Sequence, residues 1–121
     1  MILIYSTFPS LNSAKSISEL LLEKKLIFCA NFWEHNSLYL GKTSDTLDYN
    51  EKILKNMDDG NSQIITSYEV GVVYKTSSKN WNELCNLFSE IHPYSTPILL
   101  KINVEELNSE FKEHLSNYGF K

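Results

Sequence analysis

The sequence predicts an α+β fold whose first six elements follow the β-α-β-β-α-β order of the split βαβ, ferredoxin-like arrangement, with a C-terminal helix added. Three observations carry that expectation. The segments "ILIYSTF", "LIFCANFWEHNSLYL", "IITSYEVGVVYKT" and "ILLKINV" are rich in branched and aromatic residues and read as strands. Between and after them, apolar residues recur at helical spacing. The 121 residues suit one domain with a real core and are too few for two comfortable ones, so a single domain over 1–121 is expected. Both long helices would then cover one face of a four-stranded antiparallel sheet.

The first strand, over residues 2 to 7, stops at Pro9. Ser10 can cap the helix that follows, whose stripe is Leu11, Ala14, Ile17 and Leu21, and Glu23, Lys24 and Lys25 close its exposed last turn. From Leu26 to Leu40 a second strand places Cys29, Asn31, Trp33 and His35 on one face and Phe28, Ala30, Phe32 and Glu34 on the other, with room for a bulge at Asn36 and Ser37.

The polar segment 41–63 is expected to hold a short amphipathic helix built on Leu47, Ile53, Leu54 and Met57, ending in an Asp59-Gly60 turn. A calcium loop there fails on spacing: Lys55 stands where an EF-hand loop would need its first aspartate before Gly60. A third strand covers 64–76. Asn80 with Glu83 opens a second helix carrying Trp81, Leu84, Cys85, Phe88 and Ile91. After "HPYSTP" and the fourth strand, Asn103 with Glu106 starts a third helix with Leu107, Phe111, Leu115 and Tyr118.

Fifteen acidic against eleven basic residues give a formal charge of -4, with no basic block, which argues against nucleic-acid or anionic-membrane partners. The β-α-β-β-α-β order is shared with RRM domains, and Tyr5, Tyr68 and Tyr74 are all that supports RNA binding, because the RNP1 opening is missing. No apolar run approaches the roughly 20 residues that span a bilayer. The N-terminus lacks the marks of a signal peptide, so a cytoplasmic location is expected. Cys29 and Cys85 lie far apart in apolar segments and read as reduced thiols. No nucleophile elbow, P-loop or dinucleotide fingerprint is present, the lone glycine of "YEVGV" makes no motif, and catalysis is not expected.

With both helices on one face, Trp33, one register of "SYEVGVVYK" and several aliphatics are left without cover on the other. That exposure predicts self-association through the open face or its edges.

From "ILIYSTFPS" through "LIFCANFW" and "YEVGVVYKT" to "HPYSTPILL" and "INV", the chain resembles the CutA family, the divalent-cation tolerance proteins. Thr7, Cys29 with Asn31, Glu69 with Lys75 and Thr76, and His92-Pro93-Tyr94 with Pro97 keep that family's order. The resemblance implies a homotrimer packed around a threefold axis and a link to divalent metals with copper foremost. It departs from the family in three places. Ser95 follows His-Pro-Tyr where a glutamate is common, "LYLGK" replaces a tryptophan-rich turn, and 41–63 is an atypically long insertion.

A borderline divalent ion needs three or four imidazole, thiolate or carboxylate ligands. No local pair has metal-motif spacing, so a site must be assembled in three dimensions or between subunits. His92 is the first candidate, since Pro93 fixes its turn; the competing role is a bond to a nearby carbonyl. Cys29 is a soft ligand by resemblance or else a packed thiol. Glu69 interrupts an apolar strand and needs Lys75, His92 or a metal as partner if buried. His35 and His114 read as solvated, and Tyr39 and Tyr94 as pocket or interface aromatics. A second functional reading is a PII-like trimeric signalling or scaffold module taking a small molecule or protein in clefts between subunits, by analogy of fold.

Overall fold

The computed structural model describes residues 1–42, 50–57 and 62–120. The elements run β1 (Ile2–Phe8), α1 (Leu11–Glu23), β2 (Cys29–Gly41), β3 (Glu51–Asn56), β4 (Gln63–Thr76), α2 (Trp81–Ile91), β5 (Leu100–Asn103) and α3 (Ser109–Asn117), with a 3-10 turn at Ser78–Asn80 leading into α2. All pairings are antiparallel. The sheet order is β2-β4-β1-β5, with β3 also joined to β4. Without β3 this is the ferredoxin-like order that the sequence predicts.

Strict alternation builds the core. Ile2, Ile4 and Phe8 of β1 and Val70, Val72 and Tyr74 of β4 point to one side, where they meet Ala14 and Leu21 of α1 and Leu84 and Phe88 of α2. Ala30 and Phe32 of β2 pack on the same side, as their period requires. Inside this layer the Tyr74 hydroxyl lies 3.1 Å from Ser18 Oγ, so each buried hydroxyl has a partner.

The helix signals at the start of α1 hold. Ser10 Oγ accepts from the Ser13 amide at 3.1 Å, and the helix ends in a Schellman motif in which Leu26 N–H donates to Leu21 O and Lys25 N–H to Leu22 O. Lys25 takes the left-handed position of that motif at φ 56°. The matching position after α3 is Gly119 at φ 82°, with Phe120 N–H donating to Leu115 O.

The helix expected in 41–63 is corrected to a strand. Ile53 and Leu54 lie in β3, Met57 follows it and opens the hairpin through its N–H to Ser62 O, and Leu47 and the Asp59-Gly60 turn lie outside the described residues. The reason lies in β4, which is longer than β1. β1 pairs only with Val70–Thr76, so the edge of β4 over Gln63–Ser67 presents backbone groups that β3 satisfies. The β3–β4 register shifts between Ile53 and Lys55, as at a bulge. Among the described residues the sheet therefore has five strands where four were expected.

Helix α3 starts later than the sequence suggests. Asn103 pairs with Ile2 in the sheet, and Val104 N–H donates to Met1 O, so the expected cap is committed to the ladder and Asn108 takes the N-cap position. At α2, Asn80 is the N-cap residue, but its side chain donates instead to Leu26 O and Thr76 Oγ1.

Candidate functional site

The side of the sheet away from the helices carries Leu3 and Tyr5 of β1, Trp33 of β2, Val73 of β4 and Leu100 and Ile102 of β5, brought together by the register. Trp33, Leu100 and Ile102 are each more than 40% exposed. No element among the described residues covers them. Trp33 lies flat because its cross-strand partner is Gly71: a Cβ there would sit 2.5 Å from the indole. Tyr5 stacks with it, ring centroids 6.1 Å apart.

The "HPYSTP" turn reaches this face from behind. Pro93 drives His92 out of the helical conformation, to φ -68° and ψ 138°, at the C-cap of α2. His92 is 9% exposed and sandwiched between Phe8, at 4.4 Å, and Phe88 and Tyr94. Its Nε2 lies 2.9 Å from the Thr7 carbonyl oxygen and its Nδ1 is 3.0 Å from the Tyr94 amide. A carbonyl only accepts and an amide N–H only donates, so Nε2 carries the proton and Nδ1 the lone pair. Burial pushes the imidazole pKa down to about 4, against the Thr7 bond and the Glu69 charge, which pull it up.

Tyr94 carries the connection to the open face, its hydroxyl donating to Glu69 Oε2 at 2.7 Å. Glu69 stands at a gap in the edge of β4: β3 pairs as far as Ser67 and β1 begins at Val70. Thr7, His92, Tyr94 and Glu69 thus form one hydrogen-bonded chain from the end of β1 to the open face. Burial and the nearby Glu69 charge raise the Tyr5 phenol above its ordinary pKa. Farther along, Tyr39 donates to Glu51 at 2.6 Å, and burial together with that bond pushes it up to about 12.

Cys29 lies at the opposite end of the face. Its Sγ accepts from Lys75 Nζ at 3.3 Å, and the same ammonium donates to Asn31 Oδ1 at 2.8 Å. Cys29 pairs with Lys75 and Glu69 lies six positions back along β4, a separation of about 20 Å in an extended strand. Within one copy, then, His92 and Glu69 are joined through Tyr94, while Cys29 stands apart. Both ring nitrogens of His92 are occupied by backbone groups. Among the described residues no three His, Cys, Asp or Glu side chains group as metal ligands.

His35 departs from the expected solvation: it is half-buried on the open face, opposite Glu69 and against Trp33. His114 is exposed and packs its ring on Phe28 and Tyr118. Tyr74, one of the tyrosines offered for RNA stacking, is fully buried on the helix side. Sequence reading missed the Tyr94–Glu69 bond and the Trp33–Gly71 pair. The second had a usable signal, a glycine inside a β-branched strand, which marks a close approach.

The chain matches the family model described as "CutA1 divalent ion tolerance protein" over residues 2–50 and 60–118. It is 34% identical over 119 residues to a divalent-cation tolerance protein CutA of Thermococcus kodakarensis, covering 98% of this chain and 96% of that one. Among solved structures it is similar to a point mutant of CutA1 from Pyrococcus horikoshii, with a TM-score of 0.77, 31% identity and coverage of 97% and 96%. The periplasmic divalent cation tolerance protein CutA from Archaeoglobus fulgidus superposes with a TM-score of 0.74 at 28% identity, covering 97% of each chain. A PII-like protein CutA from Nostoc shares the fold at a TM-score of 0.68 and 22% identity, covering 96% and 91%. With the family model spanning nearly its whole length on either side of β3, the chain belongs to the CutA1 divalent ion tolerance family.

Proposed function

We propose that this chain serves divalent-cation tolerance as a non-catalytic homotrimer whose open sheet face is the contact between copies, with a divalent ion, copper foremost, held where copies meet. The observation that carries the reading is the uncovered apolar face of Leu3, Tyr5, Trp33, Val73, Leu100 and Ile102. Exposed apolar area of this kind belongs to an interface. Glu69 and Cys29 hold ligand atoms on that face in separate places, so an ion needing three or four ligands takes them from more than one copy. His92 enters as a positioning residue that orients Tyr94, and through it Glu69.

Light scattering on the eluting protein, with copper titrated into wild type and His92→Ala, tests this. The expected result is three copies per particle and weaker copper binding in the variant. A monomeric mass at micromolar concentration would remove the assembly. Unchanged tight binding in His92→Ala would remove His92 from the account. Stabilisation by small metabolites in chelator, with none by metals, would favour the PII-like reading.

A further inference from the structure

One nitrogen on the open face finds nothing to bond among the described residues. His35 projects from β2 directly opposite Glu69 of β4. Its Nδ1 lies 3.3 Å from Ser37 Oγ, while its Nε2 is shut away from solvent and meets no hydrogen-bond partner among the described residues. The ring is tilted against Trp33, with centroids 6.3 Å apart, and Trp33 is held down over Gly71. A native fold rarely leaves a buried polar atom unmatched, and each exception calls for a reason.

The chemistry of the neighbours supplies one. The Ser37 hydroxyl can accept a proton held on Nδ1, and in that tautomer Nε2 carries the lone pair. That is the tautomer a metal-bound histidine adopts when an outer partner holds its other nitrogen. Directly opposed residues on adjacent antiparallel strands have Cβ atoms about 4.5–5.5 Å apart. Side chains rooted that far apart can turn an imidazole nitrogen and a carboxylate oxygen toward one ion, and those donor types suit zinc or copper. Glu69 is already aimed by Tyr94, which engages Oε2 and leaves the second carboxylate oxygen to a further partner. Two ligands are too few for such an ion, and among the described residues no third His, Cys, Asp or Glu joins them.

We propose that His35 Nε2 and Glu69 are this chain's half of a divalent-cation site, completed by ligands from a second copy seated on the open face. The proposal rests on self-association through that face and adds the imidazole that His92, with both nitrogens engaged, does not supply.

Zinc is the probe, titrated calorimetrically into reduced wild type, His35→Gln and Glu69→Gln, with the particle mass followed by light scattering. Each substitution should weaken zinc binding by at least the roughly 10–100-fold that loss of an outer-shell partner costs a metal site, with the mass unchanged. Nitrogen-15 spectra of wild type should show the His35 Nε2 resonance move on adding zinc while that of His92 stays. Wild-type zinc affinity in an assembled His35→Gln overturns the proposal, and so does an unmoved Nε2 resonance, which needs no variant to fold. A wild type that is monomeric with and without zinc overturns the assembly reading instead. Zinc held through His35 by that monomer would overturn the completion by a second copy alone.

Discussion

His92 is buried as a neutral base, so acidification should destabilise the folded protein. Between an unfolded pKa of about 6.5 and a folded pKa of about 4, the unfolded chain binds the proton and the folded one does not. Because the folded value is the lower one, stability is fully present above pH 6.5 and is lost as pH falls toward 4. A shift of this size, at about 1.4 kcal/mol per unit, is worth about 3 kcal/mol. The structure supplies the cause. A proton added to Nδ1 would confront the Tyr94 N–H with another donor, inside a sandwich of Phe8, Phe88 and Tyr94. Urea unfolding at fixed protomer concentration from pH 7.5 to 4 reads this directly, since association adds its own concentration term. His92→Gln should be less stable at neutral pH and should lose most of the slope between 6.5 and 4. Equal slopes for wild type and variant would refute the assignment of that titration to His92.

Other residues offer independent checks. Lys25→Gly relieves a non-glycine residue at φ 56° and should stabilise by about 0.5–1 kcal/mol; a loss in thermal midpoint would contradict the Schellman geometry. Leu84→Ala empties a core position that is 1% exposed and should cost about 2–5 kcal/mol in urea unfolding. Gly71→Ala puts a methyl group where the Trp33 indole lies, so in a Trp81→Phe background the remaining emission should shift red; an unchanged spectrum would mean the ring does not rest there. Leu100→Asp together with Ile102→Asp should reduce the particle mass while leaving the far-ultraviolet spectrum intact, because both side chains point away from the core.

Much of the fold was legible because burial leaves a period. Ile2, Ile4 and Phe8, then Val70, Val72 and Tyr74, announce strands with one dry face, and Leu84 with Phe88 announces a helix. The alternation also placed Cys29, Asn31, Trp33 and His35 on the open side. What escaped was structure held by backbone pairing alone. Nearly all of β3 is exposed, so its side chains carry no strand period, and its existence depends on the overhang of a strand whose other half pairs elsewhere. Of the candidate site residues, the structure links His92 to Glu69 through Tyr94 and leaves Cys29 apart. Glu69 in an apolar strand does announce a partner, but the partner is a tyrosine hydroxyl 25 residues away, and no local spacing encodes that bond. His92 was read with two roles in competition; the carbonyl bond is the one its geometry displays, because the end of β1 reaches the ring before anything else does.

The divided edge of β4 also bears on how chains of this kind can change length. β2 runs alongside β4 for thirteen consecutive pairs, bridging the gap at Tyr68 and Glu69 like a splint. An added residue in β2 or β4 would throw one half of that ladder out of register and turn its side chains to the wrong face. An added residue in β3 disturbs only a short ladder that already contains a bulge. Length variation is therefore cheap on one flank of β4 and forbidden on the other, and the stretch left unmatched by the family model, 51–59, includes all of β3 on the permissive flank. Such an arm can be lengthened or trimmed over generations while the hydrogen-bonded chain that ends at Glu69 is left untouched.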